Sequence, residues 1–448
     1  MNSNELLDIA VAVADQAGSG EQVEAFAAAA DRTSIKAYQG EVEAFTQAST
    51  SGIGVRVIRD GRQGFAHAGT LDPDIVADVV REARDNLGFA QVDPCAGLPE
   101  PDGVAPPPLD LWNPALASVG VDTKIELAID LEARVRAADR RITGVRTASY
   151  SDSAGQFALA SSTGIRAADE ASFCSVGVQA LAADGDETQT GYGFDVARHF
   201  DDLDVDVAAA DAVERAVRML GARQPRSERT TVVLEPRMAA SLLGVVGGML
   251  TGTRVAKGRT PFADRLGEQV AASGLTLVDD PTDERSFSAD AFDGEGLASR
   301  PTALVESGVL RGFVHDTWSA RRLETRSTAS AVRGTRSTPT AGVRALVVEP
   351  GEGTLDELVG QVERGILVQS MSGLHSGVNP VSGDFSVGIE GVQIEGGQRG
   401  AAVREATMAS TVQRLLTEIV AVGGEREWQP SGTGACALVI DDVAISGT

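Results

Sequence analysis

The chain has 448 residues, 42% hydrophobic but only 4% aromatic. That exceeds the roughly 250–300 residues at which one core stops growing, so two domains are expected, with cores of Val, Leu, Ile and Ala. Acidic residues outnumber basic ones 64 to 39, a formal net charge of −25 that would repel a phosphate backbone; this and the lack of aromatic stacking platforms argue against a nucleic-acid partner. The three widely spaced cysteines, Cys95, Cys174 and Cys436, the acidic start and the lack of any stretch near the ~20 apolar residues of a membrane span point to a cytoplasmic protein with no membrane association and no disulfide framework.

In chain order, apolar spacing predicts a helix over Leu6–Gln16, and Glu41–Phe65 alternates around Gly52, Gly54 and Gly61 as strands joined by an Asp60-Gly61 turn. A helix is expected from Leu71 to Asn86, and Asp93–Pro114, with seven prolines, is an extended connection. Helical periodicity returns over Lys124–Arg140. Gly144–Asp152, Gln156–Ala160 and Phe173–Ala182 read as strands, and Asp204–Leu220 as the helix that closes the first half. The polar, Arg-containing stretch Gly221–Ser227 divides an N-terminal α+β domain (1–222) from a C-terminal β-rich domain (223–448). Beyond it come a β-branched strand (Thr230–Glu235), a small-residue helix (Arg237–Leu250) and a hairpin of Thr302–Val305 with Val309–Asp316 around Ser307-Gly308. Thr354–Arg364 then reads as a helix, Gly365–Ser370 as a strand, and the remainder as mostly β, so the fold class is α+β.

Gly373–Gly397, GLHSGVNPVSGDFSVGIEGVQIEGG, packs glycines and the turn dipeptides Asn379-Pro380 and Ser382-Gly383 between short apolar runs and reads as a hairpin-rich loop. It also holds His375, Ser376 and Asp384, the residue types of a hydrolytic triad. Adjacent strand residues point opposite ways and no Gly-x-Ser-x-Gly elbow is present, so a turn role outweighs a metal-independent hydrolase. The four histidines, His67, His199, His315 and His375, have no His or Cys partner at ligand spacing. Gly52-x-Gly54 lacks the third glycine of a dinucleotide loop, and Gly252–Lys257 inverts the end of a phosphate loop. Asp279-Asp280 and the cluster Asp290, Asp293, Glu295 lack calcium-loop spacing and read as solvated acidic loops.

SLLGVVGGMLTG (Ser241–Gly252), KGRTPFADRLGEQVA (Lys257–Ala271), ALVESGVLRGFVHDTWSARRL (Ala303–Leu323), SGVNPVSGDFSVGIEGVQIEGG (Ser376–Gly397) and, in the first half, SGIGVRVIRDGRQGFA (Ser51–Ala66) together resemble the TldD/PmbA family of peptidases, also called modulators of DNA gyrase. The wording SGVNPVSGDFS resembles the TldE (PmbA) branch. The resemblance implies a helix that in the TldD branch carries HExxxH, two histidines holding zinc and a glutamate as general base. Here the matching positions are Leu243, Gly244 and Gly248, none able to serve, so no metal and no catalytic residue is expected in this chain. Cys436 in GTGACALVI is read as structural. The family further implies a heterodimer with a zinc-bearing TldD-type homologue that encloses unfolded peptides, this chain being the subunit without zinc. Gly377, Asn379, Pro380, Ser382, Gly383 and Asp384 are the expected peptide-binding or interface positions. A homodimeric peptide-binding scaffold without a hydrolytic partner is the alternative.

Overall fold

The computed structural model describes residues 1–448. Residues 22–197 contribute six strands, β1 (Gln22–Tyr38), β2 (Glu41–Arg59), β3 (Arg62–Ala68), β4 (Ile142–Ser161), β5 (Arg166–Asp184) and β6 (Glu187–Ala197), in one antiparallel sheet of order β3-β2-β1-β4-β5-β6. Four helices, α1 (Ser3–Ala14), α2 (Pro73–Asn86), α3 (Val121–Ala138) and α4 (Val205–Arg218), cover one face. The two-residue alternation of a strand explains why one face suffices: Val23, Ala25, Ile35 and Ala37 of β1, and Ala148, Tyr150, Ala158 and Ala160 of β4, all lie beneath these helices. Asp72 caps α2 by accepting the Asp74 and Ile75 N–H groups, and Asp204 caps α4 in the same way.

Three strand expectations change. β1 escapes the sequence pattern because its Ala27–Ala30 run has no strand propensity of its own. It becomes the centre of the sheet because β2 pairs along one edge and β4 along the other. The two short strands expected before residue 161 are one, since the ladder to β5 runs unbroken through Ser153 and Gly155. β6 is missed for its polar composition. Its Gly191 and Gly193 lie directly under α4, where a Cβ would collide with the carbonyl oxygens of Ala212 and Ala208, so they set how closely helix and strand approach.

The remaining strands are β7 (Glu228–Leu234), β8 (Leu277–Asp279), β9 (Thr302–Glu306), β10 (Val309–Leu310), β11 (Ala331–Val332), β12 (Thr340–Ala341), β13 (Leu346–Val348), β14 (Arg364–Ser372), β15 (Asp384–Glu395), β16 (Gln398–Thr411), β17 (Ile419–Trp428) and β18 (Gly434–Ser446). β7, β14, β15, β16 and β18 close a ring, β18 pairing back onto β7, and β13, β8, β9 and β10 extend from β18. One side of these strands buries Val232, Leu234, Ile366 and Leu438 against α5 (Pro236–Met249); the other buries Val233, Leu367 and Val439 against the short helix Leu355–Gly360. The expected strand over Val309–Asp316 shortens to β10, because the chain turns at Arg311 and Gly312, both hydrogen-bonded to Leu304, into the short helix Thr317–Arg322. The expected helix over Thr354–Arg364 also stops early, as Val362 and Glu363 instead accept the turn amides of Gly397 and Gly396. No helix is long and apolar enough to cross a membrane.

The uncovered face of the first sheet packs on the second unit. Arg56 of β2 reaches Glu24 of β1 at 2.8 Å and Glu295 at 3.3 Å, with Arg333 also paired to Glu24. This overturns the reading of the acidic residues around 279–295 as solvated loops. Asp279, Asp293 and Glu295 are almost fully buried because they organise turns. Asp293 accepts the amides of Glu295, Leu297 and Ala331, and Asp279 those of Arg344 and Ala345. A carboxylate so supplied with N–H donors can sit inside a protein.

Candidate functional site

A cleft of about 1010 Å³ opens between the two units. Its first wall is the part of the sheet face left uncovered beyond Arg56: Ser149 and Ser151 of β4, Ser175 and Gly177 of β5, Tyr192 and Phe194 of β6. These residues alternate with Ala148, Tyr150, Cys174 and Val176, which mostly point to the helix side, so strand period places a row of hydroxyls on the cleft. Ser151 and Ser175 hydroxyls bond each other at 2.9 Å, and Ser149 donates to the Gly177 carbonyl at 3.1 Å.

The second wall is α5. Pro236 begins it, a position where a missing N–H costs nothing. Leu242, Leu243, Val246 and Met249 are buried in the core, while Arg237, Ser241, Gly244 and Gly248 form the stripe that lines the cleft. Segments 251–259, 340–346 and 429–433 complete the rim.

Of the three positions matched to the zinc motif, the structure brings two together and sets one apart. Leu243 is fully buried among core side chains. Gly244 and Gly248 stand one turn apart on the open face, and a Cβ built on either meets nothing within 4 Å. At 3.6 residues per turn, positions 243 and 248 lie about 140° apart around a regular helix, so they do not converge on one point, whereas 244 and 248 do. No residue lining the cleft carries an imidazole, thiol or carboxylate, and nowhere are three or more such side chains gathered as a metal cage. This donor set does not fit zinc. Cys436 is buried in the core beside Arg426, and its thiol is pushed up by burial.

What the cleft does carry is positive charge. Arg237 lies 4.6 Å over the Phe194 ring and 5.3 Å over Tyr192, with Asp211 at 3.7 Å, and burial lowers its pKa. Arg344 is committed to structure, donating to the Phe292 and Ala329 carbonyls and the Ser299 hydroxyl. Arg254, Lys257 and Arg259 pair with no carboxylate; Lys257 lies 5.5 Å over the Trp318 ring. Nothing in the sequence reading singles out these cations or the three serines. The available signal is the Arg254, Lys257, Arg259 cluster itself, which includes one of only three lysines in an acidic chain.

The residues of the glycine-rich segment lie elsewhere, and none of Gly377, Asn379, Pro380, Ser382, Gly383 or Asp384 lines the cleft. They form a turn in which Asn379 donates its amide to the Asp384 carbonyl and accepts the Gly383 amide, while its side chain accepts the Val381 amide at 2.9 Å; the Val412 amide and the Gln413 side chain hold it from outside, donating to the Gly383 and Ser382 carbonyls. Leu374–Gly377 is a short helical turn, and from Asp384 onward the segment is not loop at all but β15, its edges taken by β14 and β16. The apolar alternation of Phe385, Val387 and Ile389 outweighs the glycines there. His375, Ser376 and Asp384 do not form a relay. The Ser376 hydroxyl donates to the Gly373 carbonyl at 3.3 Å, and Asp384 accepts the Ser382 hydroxyl at 2.6 Å.

Profiles of the PmbA/TldA metallopeptidase domains match the chain in three parts: domain 1 over residues 23–87, the central domain over 114–220 and the C-terminal domain over 227–447. The chain is 27% identical over 448 residues to metalloprotease PmbA of Escherichia coli O157:H7, covering 99% of this chain and 96% of that one. It is also 27% identical over 432 residues to a metalloprotease TldD homolog of Haemophilus influenzae, covering 89% and 87%. TldE from Thermococcus kodakarensis shares the fold, with a TM-score of 0.88 at 23% identity over 99% of each chain.

Proposed function

Because this chain belongs to the PmbA/TldA metallopeptidase family, we propose that it is the non-metal-binding, TldE/PmbA-type subunit of a cytoplasmic TldD/TldE metallopeptidase that acts on unfolded peptides. The zinc is held by a TldD-type partner in a heterodimer. The observation that carries this reading is the bare cleft face of α5, where Gly244 and Gly248 offer neither ligand nor base.

The chain's own contribution is to shape and position. Absent side chains at 244 and 248 let a main chain approach the wall closely, and the serine hydroxyls offer donors and acceptors that do not depend on peptide sequence. The test is metal content and peptide hydrolysis, measured on the chain alone and after mixing with a TldD-type homologue. Zinc and chelator-sensitive hydrolysis are expected only in the mixture. Hydrolysis by this chain alone, undiminished by chelator, would overturn the proposal. Peptide binding with no gain on mixing would do so too, and would leave a homodimeric peptide-binding protein as the reading.

A further inference from the structure

We infer that the cleft recognises acidic side chains of its peptide through Arg254, Lys257 and Arg259. This rests on the peptide-binding reading above and adds a substrate preference to it.

The composition makes the local charge informative. Acids outnumber bases 64 to 39 along the chain, yet the cleft wall contains five basic residues and no acid. Two of the five are accounted for, Arg237 by Asp211 at 3.7 Å and the Tyr192 carbonyl it donates to, besides the two rings it stacks on, and Arg344 by its three structural hydrogen bonds; Lys257 also lies over a ring, that of Trp318, but has no acid beside it. The other three have no protein carboxylate in ion-pair distance, although carboxylates abound on the surface and many other arginines are paired with them.

These three are gathered by built structure. The Arg259 amide donates to the Arg254 carbonyl at 2.8 Å, closing the turn that carries Lys257. The turn is anchored at its start, where the Gly252 amide donates to the Val314 carbonyl at 2.8 Å. Gly252 lies so close to His315 that a Cβ would overlap the ring, so the anchor admits only glycine. Hydroxyls face the same space from Thr253 and Ser431. A recess between low-dielectric walls focuses such a field, which sets this part of the surface apart for an anion on a chain of net charge −25. Guanidinium and ammonium donors with neighbouring hydroxyls suit carboxylate oxygens.

The test uses the full chain and three fluorescent peptides of equal length, rich in Glu, Gln or Lys. Anisotropy titrations at low salt should show the Glu peptide bound about tenfold or more tightly than the Gln peptide, and the gap should close at high salt. The triple variant Arg254→Ala/Lys257→Ala/Arg259→Ala should lose that gap, the Glu peptide falling to the affinity of the Gln peptide. Should it misfold, Lys257→Glu and Arg259→Glu, at exposed positions, should each narrow the gap. Equal binding of the Glu and Gln peptides, no binding of either, or a gap that survives these substitutions overturns the inference. So does inorganic phosphate binding with no peptide preference, which would make this a free-anion site. Peptide hydrolysis by the pair with a TldD-type homologue separates the two readings: equal turnover of Glu and Gln peptides sinks only this inference, and no turnover of any peptide sinks the function it rests on.

Discussion

Arg56 and Glu295 meet at 3.3 Å across the junction of the two units, both almost fully withdrawn from water. Glu24 completes the pairing, and although burial raises its carboxyl, Arg56 and Arg333 outweigh that and hold it below its usual range. Removing one partner of a buried pair leaves an uncompensated charge, which costs about 3–5 kcal/mol. Arg56→Met should therefore lower stability by that order in urea unfolding, and adding Glu295→Gln should recover part of it. A loss within error would show that the junction does not depend on the pair.

A second carboxyl at the same junction gives a pH dependence. Burial pushes Asp290 up to about 7, with Asp169 of β5 adding to the effect and Arg344 and the Phe292 amide opposing it. The folded value lies above the unfolded one, so folding takes up a proton. The contribution is complete below the unfolded value near 4, declines as pH rises, and is gone above about 7. Relative to Asp290→Asn, the wild type should lose at most about 1.4 kcal/mol of stability per pH unit across that window. Thermal unfolding of both proteins across the window checks this, and parallel curves would refute it.

The geometry of α5 predicts which engineered histidines will bind metal. Gly244→His/Gly248→His places two imidazoles one turn apart on the cleft face, so the double variant should retain zinc in competition with a chromophoric chelator. Leu243→His/Gly248→His should not. Its first imidazole enters the core, at about 2–5 kcal/mol in stability from lost packing and buried polarity. Equal zinc retention by both variants would mean that the helix does not hold the orientation described.

Ser376 and Gly377 are neighbours with opposite expectations. Ser376 is exposed and only back-bonds to Gly373, so Ser376→Ala should change neither stability nor hydrolysis by the reconstituted pair. A Cβ at Gly377 would overlap the Ser386 carbonyl, and Gly377→Ala should cost about 1–3 kcal/mol in denaturant unfolding. Loss of hydrolysis in Ser376→Ala at unchanged stability would revive the hydrolase reading.

Much of the local structure is legible in the sequence because its causes are local. Asp60 and Gly61 both take left-handed backbone at the expected turn, as do Ser307 and Gly308. Pro236 and the small residues after it mark α5. Tertiary structure alone decides the rest. β1 is a strand because two neighbours supply its hydrogen bonds, and Asp293 and Glu295 are buried because amides and Arg56 from distant parts of the chain surround them. The cleft joins Ser149, Gly244, Lys257 and Ser431, which share no pattern along the sequence. Which face of a strand or helix a residue occupies follows from local period, but what stands opposite it depends on packing between elements far apart in the chain.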